Sequence, residues 1–354
     1  MRGIVADSAG LQVDQKFNVQ PFRLDDNNKL LPTEFEITYL RDDVRYQYGF
    51  SVTPERITGE WLIVYKTAKP QTWFRRTYDP STEQYTYLFG SGLQGQRQVW
   101  QESTRPNALF LSIATQLNST QLKPVFDWIS TSLVIFENGS APWMTYTINH
   151  ILSNPDNNIR DLMLAADIAI ADIKIDKKKG FTQSFKLDFA TGKVDNARVE
   201  NDFQMPLFHH VTTKGSADFE FMDESEGTQK LFSLAGPLFE IFKDGRVLFV
   251  DELDRSLHTL LVKQLVGMFH DPSINTGGAQ LIFTTHDTAL LDADLLRRDQ
   301  IWFTEKNVDQ ASELYPLTDF SARKNEAFEK GYLAGRYGGI PILQQLKAGI
   351  RAAE

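Results

Sequence analysis

An α/β fold on a mostly parallel sheet is what three stretches of this sequence predict. Val247 to Val250 is a short, unbroken apolar run ending abruptly in Asp251 and Glu252. Such a run suits a strand buried on both faces of a parallel sheet. Gln280 to Thr285 is a second run of this kind, ending in His286 and Asp287, and a helical pattern through Leu260, Leu261, Leu265 and Met268 separates the two. Strands joined by a crossover helix run parallel, so the polar ends of both should share one sheet edge. The third stretch is different. From Thr33 to Phe89 the apolar period is two, which predicts an antiparallel meander with one wet face.

The bulk numbers frame these elements. With 354 residues the chain can bury a sizeable core, as one large domain with an insertion or as two smaller ones. At 42% hydrophobic, 23% charged and 12% aromatic, the composition is that of a soluble globular protein. A formal charge of −9 excludes a surface coated in positive potential, while leaving a local basic groove for nucleic acid open. The absence of cysteine excludes disulfides, thiolate metal sites and a cysteine nucleophile, and fits a reducing compartment. No apolar run is long enough to span a bilayer, and the first residues, MRGIVADSAGLQVDQ, lack the charged and apolar regions of a signal peptide. The expected location is cytoplasmic, which makes the glycosylation patterns at Asn118 and Asn138 chance matches.

Taken in order, MRGIVADSAG reads as the last turns of a helix. Phe35, Ile37 and Tyr39 then alternate with polar residues up to an Arg41-Asp42-Asp43 turn, and Val44, Tyr46, Tyr48, Phe50 and Val52 do so after it. Trp61 to Tyr65, Trp73 to Tyr78 and Tyr85 to Phe89 are further strands. Gly90 to Gly95 matches G-x-G-x-x-G but follows an antiparallel-type strand and opens no convincing crossover, so it reads as a loop. From Pro106 to Asp176 the pattern turns helical. Leu109, Phe110, Ile113, Ala114 and Leu117 make one face, and Val125, Trp128, Ile129 and Leu133 another, with Pro124 in a first turn and a third helix from Asn158 to Ala166. Lys177 to Gly180 reads as a solvated turn. Phe185 to Phe189 and Leu207 to Val211 read as strands either side of a polar stretch, where Gly192-Lys193 lacks the partners of a phosphate loop. His209 and His210 are adjacent on a strand and face opposite ways, which argues against shared metal ligation. Ile301 to Thr304 is a final strand. The tail holding Tyr332, Arg336, Tyr337 and Gly338 to Pro341 is rich in aromatics and turn formers.

Two places carry chemistry. At the end of the central strand, one carboxylate of Asp251-Glu252 can hold Mg²⁺ against phosphates while its neighbour polarises water. His286 should lie beside them, in reach of a phosphate. Before the apolar face Leu231, Leu234, Ala235, Leu238 and Phe242 stands Asp223-Glu224-Ser225-Glu226-Gly227-Thr228-Gln229. Ser225 is an N-cap there, and Gly227 allows close approach to first-turn amides, which is the chemistry of a phosphate site. Pro237 should kink that helix, and Asp244-Gly245 should end it.

SEGTQ, VLFVDELDRSLH and QLIFTTHD, in this order, resemble the distal half of an ABC-type ATPase head. More narrowly, the chain is similar to the AAA-15/AAA-21 group of bacterial ATPases, relatives of the OLD, RecF and SMC/Rad50 heads found in anti-phage defence modules. LRRDQIWFTEK and the closing ARKNEAFEKGYLAGRYGGIPIL resemble the end of that group. The resemblance implies a P-loop NTPase, ABC-ATPase-like core using ATP and Mg²⁺, and it divides the chain into a β subdomain over 1–100, a helical insertion over 101–180 and an α/β lobe over 181–354. It gives Asp251 the Mg²⁺, Glu252 the role of general base and His286 that of switch histidine. Ser225, Gly227 and Thr228 become the signature motif, reaching the γ-phosphate across a head-to-tail homodimer that sandwiches nucleotide. Leu253 and Asp254 open the D-loop, and Gln20 is the candidate Q-loop glutamine. Further implied partners are an effector protein, either nuclease or toxin, and nucleic acid.

The resemblance has one gap. No G-x-x-x-x-G-K-[ST] occurs in the 354 residues. In the group that loop precedes a segment like MRGIV, so the expectation is a chain that starts just downstream of its first core strand and phosphate loop, and that by itself binds ATP weakly or not at all and is inactive. The competing readings are a catalytically inactive dimerisation or scaffold module, and, with less support, a two-metal nuclease built on Asp251 and Glu252.

Overall fold

Nine residues of Thr33–Arg41 and nine of Val44–Val52 pair antiparallel around a two-residue turn, with Arg41 opposite Val44. Asp42 and Asp43 both adopt positive φ, 50° and 60°. That is the geometry of a turn whose twist matches the strands it joins, and aspartate tolerates it. The computed structural model describes residues 1–137, 141–154, 158–166, 168–187, 194–320 and 327–340, without the side chains of Ala141, Phe181 to Leu187 and Val194 to Val199. Asn138, the Gly192-Lys193 pair, and parts of the expected strand to Phe189 and of the aromatic tail lie outside them.

The chain forms two compact units, residues 1–133 with 297–354, and residues 134–296. In the first unit a short helix α1 (Arg2–Asp7) precedes five strands, β1 (Thr33–Arg41), β2 (Val44–Val52), β3 (Ile57–Tyr65), β4 (Gln71–Asp79) and β5 (Gln84–Phe89). They form one antiparallel sheet in sequential order, the meander read from the period of two. Helices α2 (Arg97–Ser103), α3 (Phe110–Gln116) and α4 (Lys123–Ser132) follow. The glycine-rich loop before α2 is a packing device: a Cβ on Gly90 would strike the Thr72 carbonyl, and one on Gly92 would meet the Trp73 ring.

α3 is fixed to the sheet by a buried ion pair that apolar patterning does not reveal. Glu60 on β3 and Arg76 on β4 are 3.9 Å apart, and both side chains are fully buried. Glu60 accepts from the Phe110 and Leu111 amides at 2.6 and 2.9 Å, capping α3, and from the Tyr48 hydroxyl at 3.0 Å. Arg76 donates to the Ala108 and Arg105 carbonyls at 2.7 and 3.0 Å and lies over the Tyr85 ring. Burial raises the Glu60 carboxyl above its usual range, against the opposing pull of Arg76 and the amides.

The second unit opens with β6 (Leu133–Phe136), α5 (Ala141–Ser153) and α6 (Ile159–Ala165). A long hairpin comes next: β7 (Asp172–Leu187) and β8 (Val194–Thr212), with the short β9 (Gly215–Glu220) along β8, all antiparallel. Two expectations are corrected here. Lys177 to Gly180 is no turn but mid-strand, opposite Gln204 to Asn201, and most of the polar stretch after Val194 is strand as well. Both strands of the hairpin carry charges on their faces, such as the ion pairs Lys178–Glu220 and Lys179–Glu200, so apolar alternation is lost and the strand signal with it. His209 and His210 each face a carboxylate, Asp218 at 2.5 Å and Glu224 at 2.7 Å.

Then come α7 (Glu226–Asp244), β10 (Val247–Val250), α8 (Thr259–His270) and β11 (Gln280–Phe283). β10 and β11 are parallel, with Val250 opposite Phe283, in a three-stranded sheet of order β11-β10-β6. The parallel arrangement is thus smaller than the mostly parallel core expected, and among the described residues the other three sheets are antiparallel. Leu231, Leu234, Ala235 and Leu238 of α7 enter a core with Leu248, Val250, Val262 and Leu265. α7 runs on through Pro237. The proline cannot donate to the Ser233 carbonyl, and buried Thr147 of α5 does so instead at 3.2 Å, while accepting from the Gly236 amide at 3.2 Å. Gly245, at φ 66°, ends the helix in the left-handed region against the Gly277 carbonyl.

The chain re-enters the first unit with the hairpin β12 (Trp302–Lys306) and β13 (Ser312–Pro316), then α9 (Phe328–Leu333). The tail folds onto that hairpin: Phe303 stacks on Tyr332 at 5.4 Å, and the Tyr315 hydroxyl donates to the Tyr337 carbonyl.

Breaking one side of the buried pair leaves the other charge unpaired. Glu60→Ala or Arg76→Ala should therefore lose about 3–5 kcal/mol in denaturant unfolding, while Glu60→Leu with Arg76→Met should lose much less than the sum. Because folding raises the Glu60 pKa, its contribution is complete at acid pH and fades as pH climbs through the raised value. Glu60→Gln should lack that part of the pH dependence.

Candidate functional site at the end of β10

The parallel pair positions the two carboxylates. The Thr284 amide donates to the Val250 carbonyl at 3.1 Å, and the Leu253 amide to the Thr284 carbonyl at 3.0 Å, so the ladder continues just past both strands. Between these bonds the Thr284 hydroxyl donates to Asp251 Oδ1 at 2.6 Å and accepts from the Glu252 amide at 2.8 Å. A hydroxyl can do both at once. Asp251 is thereby held at the strand end with its carboxylate at the surface.

Glu252 turns the chain. Its φ is 51°, in the left-handed region that a residue with a Cβ adopts at a cost of roughly 1–3 kcal/mol. Ser256, four residues on, is also left-handed at 63°. The Glu252 carboxylate is half-exposed and 3.7 Å from the exposed Arg255 guanidinium. Asp254 Oδ1 accepts from the His286 amide at 3.4 Å, bringing the residue after β11 to the loop after β10. Asp287 then accepts from Thr259 Oγ1 at 2.6 Å and from the Ala289 amide, closing the turn. Asp251, Glu252, Asp254 and His286 thus gather at one sheet edge, as the two strand ends predict.

The amino terminus of α7 meets the same loop. Ser225 is its N-cap, accepting from the Thr228 amide at 3.1 Å, with the two hydroxyls 2.9 Å apart. Ser225 is exposed, whereas Thr228 is buried and stiffens the turn from inside. Gly227 has a packing reason that the sequence reading lacked: a Cβ there would stand 2.5 Å from the Ser256 carbonyl. Ser256 Oγ in turn donates to Glu226 at 2.7 Å. The close approach at Gly227 is to the chain's own loop.

Lys230, one turn further along α7, escapes sequence reasoning altogether. It is only 8% exposed, and its ammonium donates to the carbonyls of Glu252, Leu253 and Arg255 at 3.0, 3.0 and 3.1 Å. All three N–H donors are used. Burial lowers its pKa from 10.5 to about 8, against the raising field of Asp254. Its one sequence signal is a lysine among the apolar positions of α7. Thr284 escaped as well, and its signal is a threonine placed by parallel register opposite the acidic strand end. Gln20 lies in an irregular, exposed stretch of the first unit.

Among the described residues no group of three or more His, Asp or Glu could cage a metal ion, and no helix is long and apolar enough to cross a membrane. The donor chemistry fits Mg²⁺ nonetheless. This hard ion is usually held by one or two carboxylates together with phosphates and water, and Asp251 offers such an oxygen at the sheet edge.

Carboxylates, a histidine and a capped helix terminus thus lie at the strand ends, where open α/β sheets take their ligands. The family can be named as well. The profile described as "AAA domain, putative AbiEii toxin, Type IV TA system" matches residues 2–292, and the chain belongs to that family, AAA-21. Membership gives it an ATPase-like, nucleotide-binding function at that coarse level. No curated protein matches the chain.

Two measurements probe this geometry. Gly227→Ala should push the Ser256 carbonyl away and destabilise the unit by about 1–3 kcal/mol in denaturant unfolding. The lowered Lys230 pKa means that the cost of burying its charge is full below pH 8 and relieved between about 8 and 10.5. Wild type should therefore gain on the order of 3 kcal/mol over Lys230→Met across that window.

Proposed function

We propose that the chain supplies the Mg²⁺-holding and water-activating side of an ATP-hydrolysing site at the end of β10, and that the phosphate loop these residues lack is needed for tight binding of ATP. The single observation that carries the reading is the convergence of Asp251, Glu252 and His286 at the carboxyl ends of a parallel strand pair. Asp251 would hold the Mg²⁺. That ion, when bound, supplies charge neutralisation for the phosphates. Glu252 stands next to it on a separate, half-exposed carboxylate, and acts as the general base that takes a proton from the attacking water. His286 donates a hydrogen bond to the γ-phosphate oxygens. The exposed Ser225 hydroxyl at the amino terminus of α7 offers a phosphate contact of its own.

Because that helix terminus packs on the back of the loop, its exposed hydroxyl suits a phosphate brought by a second copy. The reading therefore includes a homodimer with nucleotide sandwiched between copies, in which Asp254 borders the shared face. The family description, with its toxin and type IV toxin–antitoxin wording, supports a role beside an effector protein in a bacterial defence system. The sequence resemblance adds nucleic acid as a further partner, with the protein in the cytoplasm.

The test is Mg²⁺-dependent phosphate release from ATP by protein expressed from its natural coding sequence. Glu252→Gln should cut the rate by about 10²–10⁴ while ATP is still bound, and the trapped nucleotide should shift the protein to a dimer in sedimentation. Unimpaired turnover by Glu252→Gln removes this residue from its role. ATP-independent dimers with no hydrolysis would instead favour the scaffold reading, which the lack of a G-x-x-x-x-G-K-[ST] run in these residues supports.

A further inference from the structure

Three carbonyls converging on one buried ammonium is an unusual use of a lysine, and here all three belong to the loop that carries Glu252. The amides of that loop are held from the other side. Thr284 takes the Glu252 amide on its hydroxyl and the Leu253 amide on its carbonyl. With Lys230 on the carbonyls of Glu252, Leu253 and Arg255, the backbone is gripped on both faces. The left-handed φ of Glu252 lies within this grip, and a residue with a Cβ stays in that region only when its surroundings over-determine it.

We propose that Lys230 is a positioning residue for Glu252: by occupying the three carbonyls it holds the left-handed turn that aims the carboxylate off the end of β10. The proposal rests on the reading of Glu252 as general base. Lys230 touches no reacting atom and acts only through the backbone. Because it sits on α7 one turn beyond Ser225, it also makes the anion-binding helix terminus and the carboxylate loop one mechanical piece. Glu226 and Gly227 contribute to the same joint through Ser256.

The chemistry of the substitutes follows. Methionine keeps the length and loses every donor, leaving three carbonyls unpaired. Arginine keeps the charge, but its donors lie in one plane and cannot follow three carbonyls arranged around a tetrahedral nitrogen. Both should release the turn.

The experiment compares wild type, Lys230→Met and Lys230→Arg, made from the natural coding sequence, by two readouts. In nucleotide-free protein, amide exchange over residues 252–257 should rise about tenfold or more in both variants, with β10 and the rest of α7 within about twofold. In ATP hydrolysis, kcat should fall about 10–100-fold while KM stays within about twofold, since misaiming the base leaves substrate binding alone. Exchange that rises equally throughout the unit, or a variant with wild-type kcat, overturns the proposal. If the wild type itself hydrolyses no ATP, the proposed function fails, and exchange still decides the turn: a local rise supports the grip of Lys230, and no rise overturns it.

Discussion

The register between β10 and β11 is the constraint on which the candidate site depends. With Val250 opposite Phe283, Thr284 falls opposite Asp251, and one hydroxyl can hold the aspartate and the next amide together. A shift of one residue would turn the threonine to the other face and put an unpartnered carboxylate at the strand end. The register is defended from below: Leu248 and Val250 are buried, and Leu253 returns to the core just past the turn at 2% exposure. Burial before and after the acidic pair leaves only Asp251 and Glu252 to face outward.

The loop beyond that point is a case of strain held by charge. Two residues with side chains adopt left-handed backbone within five positions, and a lysine is buried to satisfy the carbonyls that this shape exposes. Neither feature stabilises the fold by itself. The desolvated ammonium and the strained turn each cost free energy, and they persist because each satisfies the other inside a well-packed shell. α7 supplies that shell, and its own continuity depends on a neighbour, since Thr147 makes the bond that Pro237 cannot.

The first unit repeats the theme with different groups. Glu60 and Arg76 are charged residues on the buried, otherwise mostly apolar face of the sheet, and they hydrogen-bond to the backbone of residues 105–111. An apolar pair of similar volume could fill the space but could not say where α3 begins. The buried charges specify the docking of that segment, and the favourable bonds offset a desolvation cost that shows in the raised Glu60 pKa.

The sequence by itself determined the elements whose signals are local. The five-stranded meander, helices α3, α4 and α6, the N-cap at Ser225, the helix end at Gly245 and the parallel strands ending in Asp251-Glu252 and His286 all follow from side-chain period, capping chemistry and turn formers, which act within a few residues. Strands β7 and β8 were legible only at their stretches Phe185 to Leu187 and Leu207 to Val211; over the rest charged faces erase the alternation, and pairing, not composition, makes them strands. The partners that finish the site were hidden for a related reason. Lys230 meets the Glu252 loop, Thr284 meets Asp251, and Gly227 meets Ser256 only after α7, β10 and β11 have packed. A hydrogen bond between residues more than twenty positions apart leaves no period in the chain, so only the tertiary structure could decide it.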